Sequence, residues 1–174
     1  MTTWRRFRLP SINIFRETST TSALPFIPST AFSIAERFVG VREVPGTKHH
    51  PLILAMLQLD DSWPVADEVP WCSAFVNFIA WLIRLPRSKS LTARSWLTVG
   101  KSIGLADARV GFDVVILRNM AGAPGPEVLD APGHVGLYAG QEGGGIMVLG
   151  GNQSDSVSVA RFASDRLIGI RRLI

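Results

Sequence analysis

Asp67-Glu68-Val69-Pro70-Trp71-Cys72-Ser73-Ala74-Phe75 is a proline-bearing loop that runs into an apolar helix, and the only cysteine of the chain stands at the joint. The spacing predicts a helix over 71–85. Cys72, Phe75, Val76, Ile79, Leu82 and Ile83 fall on one stripe, and Pro86 is the stop. The thiol end of this helix therefore faces a packed partner. A helix N-terminus presents unpaired N–H groups and positive potential. Such positions lower a cysteine pKa from about 8.5 to between roughly 3.5 and 7.5. A thiolate of this kind works with a base and with a group that orients the base.

Before this helix the pattern is also helical. Ser29 or Thr30 caps a segment with Ala31, Ile34, Ala35, Phe38 and Val39 on one face, closed by Gly40. Pro51 suits the first turn of a second helix carrying Leu52, Ile53, Ala55, Met56 and Leu59. A short helix follows over 91–97. From about residue 110 the apolar period becomes two. Asp113–Leu117, His134–Ala139, Ile146–Leu149, Ser156–Arg161 and Leu167–Arg171 read as strands, with Gly143-Gly144-Gly145 as a hairpin turn. Helices first and an antiparallel sheet of about five strands afterwards is an α+β layout. Residues 1–30 differ from the rest: a basic and aromatic arm, then a Ser/Thr/Pro linker, leaving 31–174 as the folded domain.

The strand after Gly133 supplies a base. Val135, Leu137 and Ala139 point one way, and His134, Gly136 and Tyr138 the other. If the Cys72 helix crosses the second face, His134 meets the thiol, and Gly136 lets the helix come close. Beyond the next strand, Gly150-Gly151-Asn152-Gln153 offers a side-chain amide. The Asn152 oxygen accepts the Nδ1–H of a histidine and so fixes its tautomer. Cys72, His134 and Asn152 in that order are the parts of a cysteine hydrolase.

Composition sets outer limits. The 174 residues are 47% hydrophobic and 18% charged, which suits one domain with a real core. A single cysteine makes no internal disulfide. The formal charge of +4 favours polyanions without selecting one. No dense Lys/Arg tract interleaves with aromatics, which argues against nucleic acid. No apolar run reaches the roughly 18 residues of a membrane span. Arg5, Arg6 and Arg8 resemble the start of an export signal, but Pro10, Ser11 and Asn13 break the apolar core such a signal needs. The expectation is a monomer made in the cytoplasm without a cleaved signal, with no cofactor.

Four stretches, in this order and spacing, carry a resemblance: 39–46 (VGVREVPG), 67–77 (DEVPWCSAFVN), 133–138 (GHVGLY) and 149–154 (LGGNQS). The combination resembles the NlpC/P60 and CHAP group of papain-like cysteine peptidases, and within it bacterial and phage cell-wall hydrolases. The resemblance covers residues 31 to 174. It implies a papain-like NlpC/P60 fold, Cys72 as nucleophile, His134 as general base and Asn152 as the orienting residue. It implies peptidoglycan as partner and an amide bond of the wall peptide as the target, cleaved by an endopeptidase or an N-acetylmuramoyl-L-alanine amidase. Some relatives carry an acid two positions before the Asn; here that position is Gly150. Glu68, more than Asp67, is the candidate auxiliary carboxylate, although either also stabilises a helix start. Trp71, Trp63, Trp96 and Ser73 are the candidate substrate contacts, and Trp81 is expected in the core.

Other readings compete. A zinc amidase would use His49, His50, His134 and Cys72, but no metal-ligand spacing supports it. A non-catalytic wall-binding or virion module is possible on the same fold. So are an acyltransferase and a secreted antibacterial amidase toxin.

Overall fold

A computed structural model describes residues 29–46, 48–60 and 69–174. Residues 1–28, with most of the arm and linker, lie outside these, as do Trp63, Asp67 and Glu68.

Thr30 begins the first helix, α1 (Ala31–Ala35), through a reciprocal capping box with Ser33. A single 3-10 turn, Glu36–Phe38, follows, and Gly40 ends the segment at φ +93°. Pro51 opens α2 (Pro51–Leu57), and the His50 ring accepts from the Leu52 N–H at 3.2 Å as its cap. The central helix is α3 (Cys72–Leu82). Cys72, Phe75, Val76 and Ile79 are buried as the stripe requires. The last turn departs from it: Leu82 is exposed, and so is Trp81, against the expectation of a core position. The expected helix over 91–97 is a 3-10 segment, Ala93–Thr98.

Six antiparallel strands make one sheet: β1 (Lys101–Ser102), β2 (Asp113–Arg118), β3 (Gly133–Glu142), β4 (Gly145–Gly150), β5 (Ser158–Ala163) and β6 (Leu167–Arg172). Their order is β1-β6-β2-β3-β4-β5. The strand beyond the expected five is β1, two exposed residues paired with Arg171 and Arg172 and too short to show a period. Gly143 and Gly144, at φ +52° and +72°, form the two-residue turn between β3 and β4. The architecture is α+β.

Both faces of the sheet are buried. On one, Val114, Ile116, Val135, Leu137 and Leu149 pack with Phe75 and Ile79 of α3, Ala31 and Ala35 of α1, and Trp96. On the other, Val115, Leu117, Tyr138, Ile146, Val148 and Ile170 form a second cluster, closed by Ile103, Leu105, Phe162 and Leu167. The helix thus lies on the Val135 and Leu137 face, not on the His134, Gly136 and Tyr138 face. Gly136 correspondingly makes room for β4: a Cβ there would stand 2.5 Å from Val148 Cγ1 and 2.8 Å from the Leu149 carbonyl.

Candidate active site

Cys72 is the first residue of α3 and is only 4% exposed. The backbone N–H groups of Val135 on β3, of Ser73 and of Cys72 itself act to lower its pKa. These donors favour the thiolate, as expected for a helix start. Burial opposes them and wins, so the thiol is pushed above its ordinary pKa. The expectation of a depressed thiol pKa is corrected on this point: the positive end of the helix is present, but water is excluded.

His134 sits at the start of β3, opposite Leu117 and outside the last β3–β4 rung at Leu137–Leu149. Its ring stacks on Phe162, with centroids 5.3 Å apart and planes at 28°. Burial lowers its pKa from 6.5 to about 4, the hydrogen bond it donates to Gln153 works against that, and the Arg166 charge adds to it. A cavity of about 640 Å³ wraps this end of the sheet, so side chains of both faces line it, Cys72 and His134 among them.

The residue that holds His134 is Gln153, not Asn152. His134 Nε2 and Gln153 Oε1 are 3.1 Å apart. The Gln153 amide nitrogen donates to the Ser158 carbonyl at 2.5 Å, which fixes which end of the amide is oxygen. Nε2 therefore carries the proton and donates, and Nδ1 is left as the acceptor. The turn explains the one-residue displacement. Asn152, Ser154 and Asp155 all take positive φ, 57°, 50° and 58°. Asn and Asp tolerate this conformation better than most residues. Asn152 serves the bend and lines the cavity, while the buried Gln153 behind it faces the ring. Ser156 closes the turn: its carbonyl accepts from the Gln153 N–H and its hydroxyl donates to the Gln153 carbonyl, both at 2.9 Å.

The expected substrate contacts move into the scaffold. Trp71 is fully buried, donates its indole N–H to Glu43, and lies under Gly151, where a Cβ would also come within 2.8 Å of Phe75 Cβ. Trp96 is fully buried and donates to Ser73 Oγ at 2.9 Å. Ser73 is buried and donates its hydroxyl to the Ser90 carbonyl at 2.6 Å. All three brace the segment around α3 and leave the lining to others. Trp63 and Glu68 lie outside the described residues. Among those residues no cluster of three or more His, Cys, Asp or Glu stands together to hold a metal, and no helix is long and apolar enough to cross a membrane.

Sequence reasoning missed two arginines. Arg94 is fully buried, with no carboxylate partner among the described residues. Its guanidinium donates to the carbonyls of Pro124, Gly125, Val128 and Pro132, at 2.6 to 3.3 Å. It thereby shapes the Gly/Pro-rich loop whose end, Asp130 to Gly133, lines the cavity. Arg166, in the turn between β5 and β6, lines the same cavity. A basic residue in a loop is ordinary, so only position distinguishes either one.

Comparison with solved structures agrees on the fold. NlpC1 of Trichomonas vaginalis superposes with a TM-score of 0.50 at 19% identity, over 82% of this chain and 42% of that one. NlpC2 of the same organism gives 0.51 at 17%, over 86% and 48%. An NlpC/P60 family protein from Bacillus cereus ATCC 10987 gives 0.50 at 15%, over 84% and 41%. The chain has the NlpC/P60 fold, and it spans less than half the length of these three proteins. No protein-family model matches the sequence, and no curated protein matches it significantly.

Proposed function

We propose that this protein is a cysteine hydrolase that cleaves an amide bond in the peptide of peptidoglycan. The observation that carries the reading is the shared cavity of Cys72 and His134, with Gln153 leaving His134 Nδ1 free to accept a proton. Burial keeps both partners neutral at rest, the thiol by raising its pKa and the imidazole by lowering its own to about 4. Proton transfer therefore accompanies attack. Sulfur bonds to the amide carbonyl carbon while Nδ1 takes the thiol proton. Backbone N–H groups at the start of α3 stabilise the oxyanion. The imidazolium then protonates the leaving amine, and water releases the acyl group from sulfur.

The wider proposal is a phage endolysin or virion-associated lysin that acts as a monomer on the cell wall. Its support is the resemblance carried by the four sequence motifs and the NlpC/P60 fold of the three solved relatives. Mass spectrometry of muropeptides after digestion tests the activity. Wild type is expected to give new amine and carboxylate ends, and Cys72→Ala none; identical products from the two sink the proposal.

The near-complete burial of Cys72 favours a second reading, a wall-binding module without catalysis. Iodoacetamide separates the two. A module leaves Cys72 inert in the folded protein with muropeptide present or absent. A hydrolase shows alkylation that substrate suppresses.

A further inference from the structure

Arg166 lines the cavity, and its guanidinium is only partly satisfied by the fold. Its Nε donates to the Arg118 carbonyl at 3.0 Å. Its guanidinium carbon lies 4.9 Å from the centre of the Phe162 ring, which also stacks with the His134 imidazole. One carbonyl and one aromatic face fix the group in place, a cation–π arrangement. Neither terminal nitrogen has a hydrogen-bond or carboxylate partner among the described residues. Arg87 and Arg172, by contrast, are paired with Asp60 and Asp113. A guanidinium has five donors in a planar fork that matches a carboxylate. Here the guanidinium is anchored through Nε and the ring, belongs to a side chain that lines the cavity, and has both terminal nitrogens unpaired among the described residues.

We infer that Arg166 is a specificity residue that binds a carboxylate of the substrate peptide beside the scissile amide. The inference rests on the reading of the cavity as a cleft for peptide amides, and it deepens that reading by naming the recognised group. The charge also bears on the chemistry. Among the described residues, the titratable or charged groups that share the cavity with His134 are Cys72, Asp130 and Arg166. Of these, Arg166 is the one whose charge lowers the His134 pKa. That cation disfavours the imidazolium on which leaving-group protonation depends. A bound carboxylate neutralises that cation, so the histidine becomes a better base when the matching substrate is in place.

The test uses one muropeptide in two forms, with its carboxylates free and with them converted to carboxamides. Wild type is expected to prefer the free acid by about 10–100-fold in kcat/KM, the range of a charge-assisted hydrogen-bonded pair. Arg166→Gln is expected to bring the ratio close to one, chiefly through KM. It should also move the acid limb of kcat/KM to higher pH, because the free enzyme loses the cation that depresses His134. Arg166→Lys keeps the charge but not the fork, and is expected to retain only part of the preference. Calorimetric binding of both forms to Cys72→Ala, with and without Arg166→Gln, gives a readout independent of turnover. If wild type cleaves neither form, the hydrolase reading falls, and the binding preference still decides the arginine. A preference that survives Arg166→Gln, or no preference in binding, overturns the assignment. Should Arg166→Gln fail to fold by circular dichroism, Arg166→Lys decides: full retention of the preference overturns the role, and partial loss supports it.

Discussion

The wall of the cavity that ends the 119–132 loop and the wall made by the β5–β6 turn each depend on an arginine, and the two are held in opposite ways. Arg94 is wholly buried, and its guanidinium is used up on four backbone carbonyls. Arg166 is half-buried and gives one N–H to one carbonyl. A loop without regular structure has no ladder to satisfy its carbonyls, so a central polydentate donor does the work of secondary structure. Donors left unpaired on a cavity contribute nothing to the fold, so Arg166 stabilises it only through one carbonyl and one aromatic face. The residue type is the same; the fraction of its hydrogen bonds satisfied by the fold separates scaffold from recognition.

This contrast is most directly broken by substitution. Arg94→Met strips four loop carbonyls of their donor and removes a buried cation, and a loss of about 2–4 kcal/mol in urea unfolding is expected, with faster proteolysis in 119–132. Arg166→Met should stay within about 1 kcal/mol of wild type in the same assay. Equal losses would erase the distinction between the walls.

The pH dependence of stability probes the second wall further. His134 has a folded pKa of about 4 against 6.5 unfolded. The unfolded chain therefore binds more protons between these values. The contribution is fully present above about pH 6.5 and is lost as pH falls toward 4, by about 3 kcal/mol at most. Urea titrations at pH 7.5 and 4.5, compared between wild type and His134→Asn, should show this difference in wild type alone.

Gln153→Leu removes the acceptor that fixes the His134 tautomer. A fall of about 100-fold in kcat is expected with a circular dichroism spectrum like that of wild type. The smallest effect is expected at Asn152. Its positive φ suits glycine, so Asn152→Gly should change stability by less than about 1 kcal/mol and activity by only a few-fold. A larger kinetic loss at Asn152 than at Gln153 would reverse the assignment of the orienting residue.

The chain's periodicity was enough for the α+β order, the five longer strands, the Gly143-Gly144 turn and the position of Cys72 at the head of α3. These are local matters: apolar spacing, capping groups and glycine at positive φ act within a few residues. The sequence also singled out Cys72 and His134 as residues worth bringing together. Which face of the sheet α3 covers, and which amide meets the imidazole, came only from the tertiary structure. Side chains one residue apart differ by the bend between them, and the bend at Asn152 is set by how the turn packs on Trp71. The burial of Cys72, Trp71 and Trp96 was likewise a tertiary outcome. Desolvation depends on everything that surrounds a group, and it overrode the helix-end potential that sequence position alone supplies.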